Sequence, residues 1–404
     1  MKFVVAPNAF KGSLTASEAA ACIARGMGRA LPGCAFVCVP VADGGDGTAR
    51  AVAEATGGRW VPCAAHDALG RPIESGFGVT GDGRTAVVEM ALASGLARLK
   101  PDERNPLRTG TYGTGELIRA ALDGGAERVV VGIGGSATND GGMGMARALG
   151  VRLLDEAGRE LAGTGADLAR LARVDAGGLD GRVRRAGIEA ACDVTNPLCG
   201  PAGAARTYAA QKGATPEMVE ELDAGLARFA EVVRRDLGVD VAGLPGGGAA
   251  GGLGAGLVAF LGARLRRGAE LVLDACGLES RLGGCDLVVT GEGRLDGQTV
   301  YGKAPAAVGR LARAKGVPAI AICGSVGAGV GRVREAGICA YFSALEEPVA
   351  EGDLPVRGPA MLERCAEQVG RLLALGARID APGRALGLKR GGQAATIGAC
   401  RSEG

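Results

Sequence analysis

The chain has 404 residues, 47% of them hydrophobic and 22% charged, with 73 glycines, 3% aromatics and a net charge of +2. That near-neutral, ordinary make-up excludes a polybasic nucleic-acid or membrane surface and fits a globular protein of about two domains, at roughly 100–200 residues each. A single histidine, His66 in the strand end and turn AAHDALGRP, excludes a two-histidine metal site, so acid–base work falls to carboxylates or lysines.

In chain order, KFVVAP at 2–7 is an apolar run read as a buried strand. A helix over 15–31 follows, with Thr15 as N-cap and Glu18 three residues on, the capping-box spacing. AFVCVPV at 35–41 is a second strand and 44–58 opens a second helix. The period then changes: 59–90 reads as short strands joined by turns at ALGRP and TGDGR. A helix near 114–124, a strand at 128–134, a strand at 187–194 and a long helix at 217–238 come next, and PGGGAAGGLGAG precedes an apolar helix. From 286 strand and helix alternate again to a last helix at 357–375. The expected architecture is α/β: a doubly wound parallel-sheet domain built from 1–60 and 284–376, a second α/β domain inserted at 61–283, and a loose tail at 377–404. The cleft between the domains is the expected ligand site.

The start MKFVVAPNAF lacks a signal peptide's apolar core, and no apolar run reaches the ~18–20 residues of a membrane span. None of the 12 cysteines forms a CxxC pair and most sit in apolar runs, so they read as buried, reduced thiols of a cytoplasmic protein. No nucleic-acid or membrane partner is expected.

Five segments combine glycines with polar or charged residues, four of them after an apolar strand, where α/β enzymes carry their chemistry. In GGSATNDGGMG, Gly134, Gly135, Gly141 and Gly142 can expose backbone N–H groups to an anion, Ser136, Thr138 and Asn139 add donors, and Asp140 is a metal or hydroxyl partner. PGGGAAGGLGAG, with Gly248, Gly251 and Gly252, is either a second phosphate-binding helix start or a stripe for close helix packing. In PVADGGDGT, Asp43 and Asp46 either orient a substrate hydroxyl or cap the next helix. TGEGRLDGQT joins Glu292, Arg294 and Asp296, with Lys303 beyond, as a phosphate and metal site or a structural ion-pair network. CDVTNPL places Asp193 at a strand end, followed by AAQKGA with Lys212; Asp193 is a metal ligand, a base or an Asx turn. Lys11, in the first strand-to-helix loop, is a cation for a carboxylate or phosphate or a solvated side chain. No Walker GxxxxGK[ST], kinase HRD or DFG, or GxGxxG after the first strand is present. Spacing alone thus supports an anion-binding α/β enzyme.

These segments, in this order, resemble the bacterial type 1 glycerate kinase family. The matching stretches are APNAFKGSLTA, PVADGGDGT, VVEMALASGL, GGSATNDGGMG, DVTNPLCGPAGAA, AAQKGA, GGGAAGGLGAG and DLVVTGEGRLDGQTVYGKAP, spanning about 1–375. The chain departs from the family's usual YGPQKGA at Ala209-Ala210. The resemblance implies a Rossmann-like domain with an inserted one, ATP and Mg²⁺, D-glycerate as substrate, and 2-phosphoglycerate as product, with 3-phosphoglycerate the alternative. Gly134–Gly142 and Gly247–Gly254 would cradle ATP phosphates, and Asp193, Glu292 and Asp296 would hold the metal. Lys11, Asp43, Arg294 and Lys303 would bind substrate, and Asp193 or Asp46 would accept the hydroxyl proton. Monomer and homodimer are both open. The rival classes are a nicotinamide-dependent oxidoreductase and a non-catalytic small-anion sensor.

Overall fold

The computed structural model describes residues 1–45 and 47–379. Asp46 and 380–404 lie outside the described residues. The first unit runs β1 (Lys2–Pro7), α1 (Ala16–Ala30), β2 (Ala35–Cys38), α2 (Thr48–Thr56). Then come β3 (Arg59–His66), β4 (Pro72–Val79), β5 (Thr85–Glu89), α3 (Ala91–Ser94), α4 (Tyr112–Asp123), β6 (Arg128–Gly132) and α5 (Met143–Ala148). A ribbon of β7 (Arg152–Leu154) and β8 (Arg173–Asp175) precedes β9 (Gly187–Ala191), α6 (Ala204–Tyr208), α7 (Pro216–Leu237), α8 (Leu253–Leu261) and β10 (Arg264–Arg266). The chain continues with α9 (Gly268–Ala275), α10 (Leu278–Arg281), β11 (Leu287–Gly291), β12 (Arg294–Leu295), α11 (Ala304–Ala314), β13 (Ala319–Cys323), β14 (Ser325–Val326), β15 (Ile338–Ser343) and α12 (Leu354–Ile379).

Two sheets organise these elements. A five-stranded sheet, order β15-β13-β11-β1-β2, is parallel throughout, so each crossover needs a helix. A six-stranded sheet, order β10-β9-β6-β5-β4-β3, is parallel from β10 to β5 and antiparallel at β4 and β3. The two turns seen in the sequence between 59 and 90 therefore close two hairpins, β3–β4 and β4–β5, while the other edge of β5 joins the parallel set.

Strand alternation sorts the core. Phe3 and Val5 face α1 and α12 with Val289 and Ile322. Val4 and Ala6, on the opposite face, join Val272 of α9 and Val308 of α11. The same cluster takes Val87 of β5 and Val130 of β6, so one apolar layer is shared by the two sheets. The outer face of the six-stranded sheet, through Val88 and Val131, packs on Leu117, Met145 and Phe229. A doubly wound α/β arrangement is thus realised, with helices on both faces of the five-stranded sheet.

Local signals hold at helix starts. Thr15 and Glu18 form the reciprocal capping box of α1. Strand β2 stops at Cys38 because Pro40 has no N–H to give, although Val39 and Val41 still donate to Val5 and Pro7. The last helix continues through Ile379, past 377 where a loose tail was expected to begin.

The cysteines are free among the described residues, but only Cys22, Cys276 and Cys323 are buried. Cys38 and Cys339 are exposed because they lie on the two edge strands, β2 and β15. Burial pushes the Cys276 and Cys323 thiols up to about 12. Among the described residues no helix is long and apolar enough to cross a membrane.

Helices α1 and α12 pack closely. A Cβ at Gly26 would lie 2.2 Å from the Glu363 carbonyl oxygen. Arg25 and Arg29, flanking it on α1, pair with the Glu363 carboxylate. Gly26→Ala is expected to lose about 1–3 kcal/mol by forcing the helices apart, read as a lower urea midpoint.

Candidate active site

Each sheet has a pocket at its carboxyl end. The five-stranded sheet reverses its winding between β1 and β11, and the loops leaving those strands separate there, at the position where open α/β sheets bind ligands. A cavity of about 390 Å³ opens at this point. Its lining combines buried apolar side chains, Leu14, Met361 and Leu362, with the charged Lys11, Asp43, Glu292, Arg294 and Lys303. The second cavity, about 590 Å³, lies over β6 and β9 and is lined by Gly134, Gly135, Ser136, Asp193, Tyr208 and Lys212. Asp43 and Lys303 line both cavities, so the two pockets meet at one wall.

The wall is held by close backbone contact. Gly268, the first residue of α9, donates its N–H to Asp193 Oδ1 at 3.0 Å. A Cβ there would be 2.3 Å from the Asp43 carbonyl oxygen, so only glycine lets the β2 and β10 ends approach. Asp43 turns back to accept from the Gly45 N–H. It does not cap α2. Glu89, at the end of β5, takes the N–H groups of Gly47 and Ala49 at 3.0 and 2.7 Å, so a strand-end carboxylate from the other sheet fixes this loop. Sequence reasoning missed Glu89; its signal is a carboxylate closing the apolar strand TAVVE.

On the other side of the wall, Lys303 Nζ lies 3.6 Å from Glu292 and 3.9 Å from Asp296, and Arg294 is 3.8 Å from Asp296. Glu292 is buried and accepts the Thr299 hydroxyl at 2.7 Å; burial pushes its carboxyl above the usual range, opposed by Thr299 and Lys303. The Asp193 carboxyl is also raised, because the cleft walls remove part of its water, with the Gly268 N–H acting against the shift. Lys11 is exposed on its turn at the cavity mouth. Asp193, Glu292 and Asp296 do not form one metal-holding group: among the described residues no three such side chains gather in that way.

The glycine-rich loops divide differently from the sequence reading. Gly134 and Gly135 are exposed and Ser136 half-buried at the second cavity. Thr138, Asn139, Asp140 and Gly141 turn inward and are buried, and the structure does not bring them to either cavity. Asp140 accepts from the Thr111 N–H and hydroxyl and from the Gly142 and Gly144 N–H groups, so its oxygens hold the loop. Burial raises its carboxyl, and those donors oppose the shift. Thr138 Oγ1 and both side-chain polar atoms of Asn139 are buried without a protein partner. Gly248, Gly251 and Gly252 are buried as well, and the Gly141 N–H donates to the Gly251 carbonyl at 3.1 Å. The two glycine runs therefore pack on each other. What the second run presents to the cavity is Ala249 and Ala250, the latter at φ 55°, a left-handed conformation unusual for a residue with a Cβ. Asp46 lies outside the described residues. His66 is away from both pockets, its Nδ1 3.0 Å from Glu116.

Lys212 is the residue whose weight the sequence underrated. It follows α6 on a single helical turn, is 2% exposed, and lines the second cavity, with its amine bonded to Ser136 Oγ and the Thr138 carbonyl. The Ala209-Ala210 departure sits beside it: Ala209 is fully buried and its carbonyl accepts the Lys212 N–H, so a helical turn carries the lysine inward.

The model of the glycerate kinase family matches residues 3–374. The chain is 48% identical over 375 residues to a glycerate kinase of Bacillus subtilis, covering 93% of this chain and 98% of that one. It is 46% identical over 379 residues to a glycerate 2-kinase of Escherichia coli, covering 94% and 99%. A crystal structure assigned to glycerate kinase 2 of Salmonella typhimurium LT2 superposes with a TM-score of 0.88 at 47% identity, covering 94% of this chain and 99% of that one.

Asp140→Ala tests the inward placement of that loop. It strands buried N–H donors at about 1–3 kcal/mol each, so the melting temperature is expected to fall steeply. An unchanged melting temperature with lost ligand binding would instead put Asp140 in the site.

Proposed function

Since this chain belongs to the glycerate kinase family, we propose that it transfers the γ-phosphoryl group of ATP to the 2-hydroxyl of D-glycerate, giving 2-phosphoglycerate and ADP. The observation that carries the reading is the meeting of two pockets at one wall, Asp43 and Lys303. Phosphoryl transfer consists mainly of holding two reactants in line and neutralising charge, and two pockets with a common charged wall suit that task. The Escherichia coli relative's name, glycerate 2-kinase, supports the 2-hydroxyl as acceptor.

The nucleotide belongs in the pocket of the five-stranded sheet. Three features favour it: the winding reverses there, the buried apolar side chains in its lining suit a base, and Lys11, Arg294 and Lys303 suit a triphosphate. This reverses the expectation that the Gly134 loop cradles the phosphates. The six-stranded sheet has no such reversal, since β5, β6, β9 and β10 follow one another in order.

The carboxylates fit Mg²⁺. That ion is usually held through one or two carboxylates plus substrate phosphates, so a three-residue cage is not needed. Glu292 and Asp296, on either side of Lys303, would hold it, and when bound it neutralises charge on the β- and γ-phosphate oxygens. Asp193, raised by its walls, accepts the hydroxyl proton as the phosphoryl group moves. Lys303 neutralises charge at the wall between the reactants. Closure of the two sheets' loops over the reactants keeps water from the phosphoryl group.

We also read the two sheets as two domains, one from 1–60 with 284–376 and one from 61–283. The cytoplasm is the proposed compartment, in keeping with the free thiols among the described residues.

The test is ADP release dependent on D-glycerate, with ³¹P NMR of the product; a 3-phosphoglycerate signal would overturn the regiochemistry. Asp193→Asn is expected to lower kcat by roughly 10²–10⁴-fold. The sign of its pH dependence follows from a raised carboxyl. Activity falls as pH drops through a value above the usual carboxylate range, and the asparagine variant loses that acid limb.

A further inference from the structure

Lys212 presents a physical problem that the fold itself does not solve. The residue is 2% exposed, yet among the described residues no carboxylate pairs with its amine within salt-bridge distance. Asp140 is the nearest opposing charge, but its oxygens are engaged by Thr111, Gly142 and Gly144. A buried ammonium without a counter-ion is costly, and proteins retain one where a ligand supplies the charge.

Its hydrogen bonds leave room for such a ligand. An ammonium has three donors. Lys212 Nζ donates to Ser136 Oγ and to the Thr138 carbonyl, each at 2.7 Å. One N–H remains. Ser136 Oγ accepts from the lysine, so its own proton is free to be given. Both groups line the cavity over β6 and β9, beside the exposed Gly134 and Gly135 backbone. One ammonium and one hydroxyl, side by side, match the two oxygens of a single carboxylate. They do not match a triphosphate, whose charge the cations of the other pocket suit.

We propose that Lys212, with Ser136 as second donor, docks the carboxylate of the acceptor acid, so that acid and nucleotide approach the Asp43–Lys303 wall from opposite sides. The proposal rests on the kinase reading for the identity of the acid, D-glycerate. It leaves the acid's hydroxyls pointing toward Asp193 and the shared wall, the side on which a phosphoryl group would arrive.

The docking carries a pH signature. Burial lowers the Lys212 amine to about 7, with Asp140 acting against the shift. The charged or titratable groups around it are Asp140, whose charge acts on it, and Asp43, Cys192, Asp193, Tyr208, Tyr301 and Lys303 around the cavity. Below about 7 the amine is already charged. Above that, binding a carboxylate must first restore its proton, so affinity falls by up to about tenfold per pH unit.

The experiment is calorimetric titration of the full chain and its variants with D-glycerate, and separately with Mg-ADP. Lys212→Met is expected to weaken D-glycerate about 10–100-fold and leave Mg-ADP within about threefold. Ser136→Ala is expected to weaken D-glycerate about tenfold. Lys212→Arg should bind without the decline above neutral pH. Weakened Mg-ADP with unchanged D-glycerate would overturn the proposal, as would equal affinity of the parent protein for glycerol, which has no carboxylate. If Lys212→Met does not melt cooperatively, Ser136→Ala and the parent's pH profile decide: an unchanged affinity and a flat profile overturn it. Binding is read without turnover, so a chain that binds D-glycerate through Lys212 but releases no ADP refutes the kinase reading and not this one.

Discussion

The contact on which the site depends is the approach of Gly268 to the Asp43 backbone. There the end of the five-stranded sheet meets the end of the six-stranded sheet with no side chain between them. The Gly268 N–H also fixes Asp193, so one residue sets the separation of two carboxylates that belong to different strand ends. Any side chain at that position would open the wall that both pockets share. The apolar layer beneath, in which Val4 and Val288 pack with Val87 and Val130, holds the two sheets at the separation this contact needs.

Charge is then distributed by depth. At the pocket of the five-stranded sheet Arg294 and Lys303 are partly exposed and balanced by Glu292 and Asp296, which keeps them in place without binding them tightly. In the pocket of the six-stranded sheet Lys212 is buried and nearly free of counter-charge. The first arrangement suits a large, highly charged and hydrated reactant. The second suits a small anion that leaves its water behind. A net charge of only +2 is compatible with both, because the attraction is local.

The glycine-rich runs have a second role beyond ligand contact. Gly134 and Gly135 leave backbone open to the cavity, whereas the Gly141 and Gly251 loops lie against each other and are tied by a backbone hydrogen bond. Asp140 serves that packing by collecting four donors from two segments. Loops tied together in this way support the positioning on which phosphoryl transfer depends.

The main alternation of strands and helices and the capping box of α1 were legible in the sequence, because hydrophobic period, Pro and Gly placement and cap residues act over a few neighbours; the short strands β7, β8 and β10 and the helices α6, α9 and α10 were not. Nor were the residues of a glycine-rich loop that face the cleft. Ser136 and Asp140 lie in the same turn with similar polarity, yet one lines a cavity and the other is buried, since packing of distant segments decides which side of the backbone meets solvent. Lys212 shows the same limit from the other direction. Its sequence neighbours, two alanines and a glutamine, give no sign that the turn after α6 carries a lysine beneath the Gly134 loop. Local chemistry chose the loops; long-range packing chose the side chains within them.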